Sequence, residues 1–160
     1  MREIIASRSA FEGRSTSRLP LLNREWIQKI KGSLDFLGLN YFTTNMVKLV
    51  PNPTKWGSDM QVERYQSPHW NASATPWLRS VPWGLRKMLN WVKDEYGNPE
   101  VIITANGVSD DGELEDTARS EYYKAHIEQV WKAIMLDGCH VKGYIARSLL
   151  DGFEGCVGYT

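Results

Sequence analysis

The stretch VIITANG, residues 101–107, decides the fold class of this sequence. Its run of β-branched residues has no polar alternation, which is typical of an interior strand of a parallel sheet. Amphipathic segments lie on both sides of it, from Pro82 to Glu95 and from Asp116 to about Leu136. Apolar residues recur in these segments at intervals of three or four, so both segments predict helices.

Two further strands extend the pattern around the central strand, which covers about residues 101-105. Residues 34-43 combine a dense apolar run with β-favouring types and predict a strand buried on both faces, and residues 141-147 predict a last strand. Strands that alternate with helices indicate a parallel α/β sheet with helical crossovers. Three such strands cannot close a barrel, so the sequence predicts part of an α/β fold, and a doubly wound sheet also fits.

Capping residues indicate where the helices begin and end. Asn23 is a candidate N-cap of a short helix that Gly32 would stop, and Asp116 is a candidate N-cap of the long helix. Asn106 with Gly107 predicts a turn after the central strand. On the long helix, the apolar residues that predict the buried face are Tyr123, Ile127, Val130 and Ile134.

The composition excludes several classes of partner. The 160 residues include 19 basic and 19 acidic ones, and this zero net charge does not attract a nucleic acid or an anionic membrane. No apolar run approaches the roughly 20 residues that span a bilayer, and residues 1–15 lack the apolar core of a signal peptide. If the chain is secreted, Asn71 with Ala72 and Ser73 fits the acceptor pattern for N-glycosylation.

The sequence predicts no metal or cofactor site. Its histidines, which lack metal-ligand spacing, are His69, His126 and His140. Of these, His126 lies on the long helix and is expected to be a surface or packing residue rather than an acid/base. An acidic run at residues 110–116 fits a solvated helix entrance, which the helix dipole favours, or a calcium site. Cys139 and Cys156 lie near opposite ends of the last strand, too far apart to bridge, so both are predicted to be free thiols.

Four segments, in this order, resemble the motifs of a single protein family. They are LDFLGLN at 34–40, VPWGLRK at 81–87 with DEYGNP at 94–99, IITANGVSD at 102–110, and SLLDGFEG at 148–155. The family is family 1 of the glycoside hydrolases, and the sequence resembles animal members such as insect β-glucosidases, myrosinases and the lactase-phlorizin group. The resemblance implies that residues 1-160 form a C-terminal portion of a (β/α)8 TIM barrel, with its sixth to eighth strands.

The resemblance implies chemistry at the carboxyl ends of these strands. The family hydrolyses β-glycosides with retention and without a cofactor, using a nucleophile and an acid/base, two carboxyl groups about 5 Å apart. The nucleophile, a glutamate in the family, corresponds to Ala105, whose methyl group cannot attack a sugar carbon. The acid/base belongs to the fourth strand, which the resemblance places outside this chain. A full-length parent is expected to be extracellular.

Three more positions depart from the family motifs. Phe42 stands where the family has a tyrosine that hydrogen-bonds the nucleophile, and phenylalanine leaves no hydroxyl unsatisfied once that carboxylate is gone. Arg147 and Gly155 each replace a tryptophan that contacts the sugar. Asn40 and Glu154 match sugar-binding positions of the family, although Glu154 also fits a solvated loop carboxylate.

These departures leave several functional hypotheses open. The chain is either part of, or a degenerate copy of, an enzyme that hydrolyses β-glucosides, with the missing N-terminal half of the barrel as its partner, or a non-catalytic module. Such a module would bind a sugar or a protein, as the klotho relatives of the family do. A decayed gene product is the third hypothesis. An engineered nucleophile knockout explains Ala105 but not the other changes, so we predict a chain without glycosidase activity.

Overall fold

The computed structural model of the chain describes residues 2–50, 61–110, 112, 114–150, 152–153 and 158. In chain order its elements are α1 (Arg2–Phe11), α2 (Arg24–Ile30), β1 (Leu37–Asn40), β2 (Met46–Leu49), β3 (Val62–Tyr65), α3 (Pro82–Tyr96), β4 (Val101–Asn106), α4 (Thr117–Met135) and β5 (Val141–Ala146). They form two compact units. The first comprises Met1–Leu34 with Asn45–Tyr65, and the second comprises Asp35–Thr44 with Gln66–Thr160.

The first unit contains α1, α2 and a two-stranded antiparallel hairpin of β2 and β3. The predicted N-cap of α2 is confirmed, because the side chain of Asn23 accepts a hydrogen bond from the Trp26 backbone N–H at 2.9 Å. Beyond its last residue, Gly32 adopts a φ of +80°, a conformation that few residues other than glycine adopt. The local sequence therefore fixes both ends of this short helix.

The second unit is built on a parallel sheet with the strand order β1-β4-β5. This arrangement confirms the α/β class. The first strand is shorter than the predicted 34-43, because pairing with β4 begins only at Leu37, opposite Val101. The prediction that it is buried on both faces is wrong. Leu37 and Leu39 are half-buried against the core, whereas Gly38 and Asn40 are exposed on the opposite face.

The core of the second unit lies between this sheet and the helices α3 and α4. Its buried members are Tyr41, Leu85, Leu89, Val92, Val101, Ile103, Val130, Ala133 and Cys139. The predicted helix α3 contributes Leu85, Leu89 and Val92, as its apolar spacing indicates. Cys139 is buried here as a free thiol, and burial raises its pKa. Cys156 lies outside the described residues.

The buried face of α4 matches the predicted one only in part, because Val130 is buried as predicted but its other buried residues are different. The residues that the structure buries are Tyr122, His126, Val130 and Ala133. Of the predicted positions, Ile127 is 49% exposed and Ile134 is 38% exposed. Two neighbouring stripes of α4 both repeat at helical spacing, so periodicity predicted the helix but not which stripe packs inward. The tyrosine and histidine of the buried stripe carry polar atoms, which made the more apolar stripe look like the core.

Polar side chains join the ends of α3 and α4. Asp137 accepts hydrogen bonds from the Arg86 guanidinium at 2.6 and 2.7 Å and from the Asn90 amide at 2.7 Å. These hydrogen bonds, of which those from Arg86 have the largest effect and that from Asn90 the next largest, hold the pKa of the Asp137 carboxyl well below its usual range. In addition, the Lys93 ammonium donates to the Asp137 backbone carbonyl at 2.8 Å. These contacts fix the turn that precedes β5.

Candidate functional site

The carboxyl ends of the three parallel strands meet at one edge of the sheet. Asn40, the last residue of β1, pairs with Ala105 near the end of β4. The Tyr41 backbone N–H donates to the Ala105 carbonyl at 2.9 Å, and the Arg147 N–H donates to the Asn106 carbonyl at 2.8 Å. The structure therefore brings together residues that the sequence places at three separate strand ends. We call Asn40, Ala105 and Arg147 the strand-end residues.

Asn106 organises the protein behind these residues. It is fully buried, and its amide group donates to the Tyr41 carbonyl at 2.7 Å and to the Tyr122 hydroxyl at 3.0 Å. Its side-chain oxygen accepts a hydrogen bond from the Tyr144 hydroxyl. We call the side chains of Asn106, Tyr41, Tyr122 and Tyr144 the asparagine network. Through it, Asn106 links β1, α4 and β5.

The sequence did not single out this asparagine. Asn106 with Gly107 was expected to form a turn, but Asn106 is the last residue of β4, so that prediction is wrong. An amide that directly follows a buried strand needs partners, because an unpartnered buried polar group is costly. The tyrosines that supply those partners lie far away in the sequence, and nothing local connects them with Asn106.

The tyrosines of the network are neutral hydrogen-bonding groups. Burial raises the pKa of Tyr41 to about 12, and it raises the pKa values of Tyr122 and Tyr144 further above their ordinary value. The Tyr41 hydroxyl donates to the Val81 carbonyl at 2.7 Å, and the Tyr122 hydroxyl donates to the Phe42 carbonyl at 2.9 Å. These side chains position the backbone at the strand ends and do not act as bases at neutral pH.

Of the two predicted sugar-binding residues, Asn40 and Glu154, the described part of the chain includes Asn40. Its side chain is exposed, and its oxygen accepts a hydrogen bond from the Thr104 hydroxyl at 2.7 Å. Thr104 comes from the neighbouring strand, so this contact fixes the orientation of the amide across the β1–β4 pair. Within the described residues, the amide NH₂ group of Asn40 is left to donate to a ligand.

Charge is scarce at this edge of the sheet. In the described segments 40–44, 104–109 and 146–150, which contain the strand ends, Arg147 is the one charged side chain. Ala105, which stands at the predicted nucleophile position, is 6% exposed and carries only a methyl group. Phe42, predicted to replace a tyrosine, is half-buried. The described strand ends therefore contain no carboxylate that could act as a nucleophile.

The segment after β4 lies directly against the segment after β5. A Cβ atom added to Gly107 would lie 1.7 Å from the Arg147 carbonyl oxygen, so only glycine fits there. The same carbonyl accepts a hydrogen bond from the Tyr123 hydroxyl at 2.9 Å, and the peptide bond between Arg147 and Ser148 is cis. These contacts hold the backbone of Arg147 at the strand ends, while its side chain is exposed.

The remaining predicted residues lie elsewhere or outside the described part of the chain. Glu154 and Gly155 lie outside the described residues. Asn71 is exposed and lies in the segment between β3 and α3. In the acidic run, Asp116 caps α4 by accepting from the Arg119 N–H at 3.0 Å, as predicted. The described residues hold no group of three side chains suited to a metal ion.

His126 is a packing residue inside the second unit, which is one of the two roles that the sequence predicted for it. Its ring is fully buried, stacks on Tyr122 with a centroid distance of 3.8 Å, and shares a hydrogen bond of 2.8 Å with the Tyr122 carbonyl. Its Nε2 atom has no hydrogen-bond partner among the described residues. Burial lowers the pKa of His126 to about 4, so the ring is neutral at physiological pH.

Comparisons with known proteins match this chain to one family over its full length. The family model described as Glycosyl hydrolase family 1 matches residues 1–160. Myrosinase 1 of Brevicoryne brassicae is 37% identical over 162 residues, covering 100% of this chain and 35% of the relative. Cytosolic beta-glucosidase of Homo sapiens is 40% identical over 163 residues, covering 98% of this chain and 34% of the relative.

A solved structure shows the same relation. The aphid myrosinase superposes with a TM-score of 0.89 at 38% identity, and the match covers 99% of this chain and 35% of that structure. The chain therefore spans about a third of the length of the relatives that it matches.

Proposed function

This chain belongs to glycosyl hydrolase family 1, and from that premise we propose that it is a non-hydrolytic member of the family. The chain has the fold of part of a (β/α)8 barrel and supplies three of its parallel strands. The observation that carries the proposal is Ala105 at the carboxyl end of β4, where the family motif has a glutamate.

Loss of the glutamate removes a chemical step rather than a contact. Retention requires a carboxylate that attacks the anomeric carbon and forms a covalent glycosyl-enzyme intermediate. The methyl group of Ala105 has no lone pair and no charge, so it can neither attack nor stabilise an oxocarbenium-ion-like transition state.

The non-hydrolytic chain retains features that suit sugar binding. Asn40 presents its amide on the surface that the strand-end residues form, which we call the strand-end surface, in an orientation that Thr104 fixes. An amide donor of this kind suits a sugar hydroxyl. The asparagine network behind it has partners for every polar atom of Asn106. An ordered strand end with a positioned amide favours a sugar-binding module over a decayed product. Glu154 belongs to the same proposal, as a second group that accepts hydrogen bonds from the sugar.

The test uses a chimera because the relatives are about three times longer than this chain. Residues 1–160 replace the matched third of the human cytosolic β-glucosidase, and release of nitrophenol from an aryl β-glucoside is measured. We expect no turnover above that of a mock preparation. Ala105→Glu should raise kcat/KM by on the order of 10⁴-fold, the scale on which loss of a catalytic nucleophile acts. Ala105→Gln, of similar size but not nucleophilic, is the control and should change nothing.

Two results would contradict the proposal. Turnover by the unsubstituted chimera at a rate close to that of the parental enzyme would show that Ala105 does not abolish hydrolysis. Equal activity of the Ala105→Glu and Ala105→Gln variants would show that position 105 does not carry the chemistry. The binding proposal is measured separately by calorimetry with a β-glucoside, where Asn40→Ala should weaken affinity by about tenfold through loss of one hydrogen bond.

A further inference from the structure

We propose that Asn71 is an N-glycosylation acceptor whose glycan stands at the rim of the strand-end surface. The proposal concerns a modification site and does not depend on whether the chain hydrolyses or binds a sugar. In the printed sequence, Asn71 with Ala72 and Ser73 meets the acceptor rule, whereas Asn52 is followed by proline, which the rule forbids. A sequence match of three residues is weak by itself, so the proposal depends on where the structure places Asn71.

Asn71 is exposed and its side chain is available. Its backbone carbonyl accepts from the Ser80 N–H at 2.9 Å, and the next residue, Ala72, forms an antiparallel bridge with Arg79. The backbone is thus ordered, while the carboxamide of Asn71 makes no hydrogen bond to the described residues of its unit. A glycan on this side chain would extend into solvent without displacing a packed group.

The loop that carries Asn71 is tied to the strand ends. In the segment that follows β1, the Thr43 hydroxyl donates to the Arg79 carbonyl at 2.8 Å, and the Arg79 N–H donates to that hydroxyl at 3.1 Å. The Thr75 N–H donates to the hydroxyl of Ser109, which lies in the segment that follows β4, at 3.1 Å. Residues 71–80 therefore border the segments that follow β1 and β4, and a glycan at Asn71 lies at the rim of the strand-end surface.

The fold also sets when the transfer must occur. Oligosaccharyltransferases need the hydroxyl of the third acceptor residue, here Ser73. In the folded loop this hydroxyl lies 3.1 Å from both the Thr75 and the Leu78 carbonyl oxygens and can donate its one proton to either. We infer that transfer precedes closure of the loop. Once closed, the loop engages the half-buried recognition hydroxyl in these hydrogen bonds and leaves the modified Asn71 exposed.

The reaction takes its sugar from a lipid-diphosphate-linked oligosaccharide. The Asn71 amide nitrogen forms a bond to the anomeric carbon of the first sugar, and the bond between that carbon and the diphosphate oxygen breaks. The lipid diphosphate leaves with the bonding electron pair, and the amide nitrogen loses one proton. No oxidation or reduction is involved.

The experiment expresses the full chain behind a cleavable secretion leader in insect cells. The purified protein is treated, without denaturation, with an amidase that releases N-linked glycans, and its intact mass is measured. We expect the mass of one glycan to be lost. Asn71→Gln and Ser73→Ala should abolish the glycan, and Ser73→Thr, which keeps the hydroxyl, should retain it. Asn45→Gln, at an exposed asparagine outside any acceptor sequence, is the matched control and should retain it.

Each other outcome contradicts part of the proposal. An unmodified wild-type chain, or a glycan that persists in Asn71→Gln, overturns the assignment of the acceptor. A glycan that is released only after denaturation overturns its exposed position at the rim. Modification of a chain that is folded before it meets the transferase overturns the inferred order of transfer and loop closure.

Discussion

The asparagine network and the strand-end residues lie next to each other in the fold, yet they differ in how their polar groups are satisfied. In the network, Asn106 is fully buried and each polar atom of its side chain has a partner. At the strand ends, Asn40 and Arg147 are exposed, and Ala105 presents a methyl group. The difference shows that the hydrogen bonds that hold the barrel strands in place do not depend on the chemical group at position 105.

The physical reason lies in what each region loses when a side chain changes. A buried donor or acceptor without a partner costs about 1–3 kcal/mol, so the network tolerates little change. An exposed group exchanges its partner for water at small cost. The exposed residues at the strand ends are therefore free to change, and the buried methyl group of Ala105 needs no hydrogen-bond partner, so a barrel can lose its nucleophile while it keeps its fold.

The largest effect on stability is expected when Asn106 in the network is replaced, and Asn40 at the strand ends provides the comparison. Asn106→Ala removes the partner of the Tyr122 and Tyr144 hydroxyls and of the Tyr41 carbonyl. It should lower the free energy of unfolding by about 3 kcal/mol or more. Asn40→Ala, the matched control, should lower it by less than about 1 kcal/mol. Urea denaturation followed by tryptophan fluorescence measures both, and similar losses in the two variants would remove the distinction between the regions.

The pH dependence of stability tests the buried side of the comparison through His126, which stacks on Tyr122. Burial lowers the pKa of His126 in the folded state to about 4, from its ordinary value of 6.5. Between these values the unfolded state binds more protons, so stability is fully present above pH 6.5 and falls as the pH approaches 4. The loss should be on the order of 3 kcal/mol, since one pKa unit corresponds to about 1.4 kcal/mol.

Two histidine variants separate this effect from other titrations. His126→Phe keeps a ring against Tyr122 but cannot be protonated, so its stability should vary less between pH 6.5 and 4. His69→Gln, at an exposed histidine, should keep the dependence of the unsubstituted chain. Urea denaturation at a series of pH values provides the measurement. An unchanged pH profile in His126→Phe would assign the dependence to other groups.

A smaller effect is expected where the backbone after β4 meets the backbone after β5. Gly107→Ala places a methyl group only 1.7 Å from the Arg147 carbonyl oxygen, so the backbone must shift, and it should destabilise the chain by about 1–3 kcal/mol, the usual cost of overpacking. Gly152→Ala is the control, because no atom of the described residues lies within 4 Å of the added carbon. Thermal melts of the two variants should differ by several degrees, and equal melting temperatures would show that the strand ends can move apart.

The local sequence predicted those features that depend on short-range interactions. The β-branched run of β4 and the helical spacing of α3 gave the right element types, and Asn23 and Asp116 cap the helices as expected. The resemblance to family 1 is confirmed by the family match over residues 1–160. Within the described part of the chain, no helix is both long and apolar enough to span a membrane.

Errors arose where the answer depended on distant contacts. The buried stripe of α4 contains His126 and Tyr122, whose polar atoms find partners or tolerate burial only once the helix packs on the sheet. Likewise, strand β1 is exposed on the face of Gly38 and Asn40, because the described residues cover only its other face. Periodicity reports that a segment is amphipathic, but not which neighbour it meets.

The sequence by itself determined that this is an α/β chain of glycosyl hydrolase family 1 and that alanine occupies position 105, because both follow from residue identity and order. Tertiary structure alone decided that Asn106 is a buried strand residue held by three tyrosines, and that Asn71 lies at the rim of the strand ends. The partners in these contacts are separated by up to 65 positions along the chain. Folding alone brings such residues together, and burial then makes their hydrogen bonds obligatory.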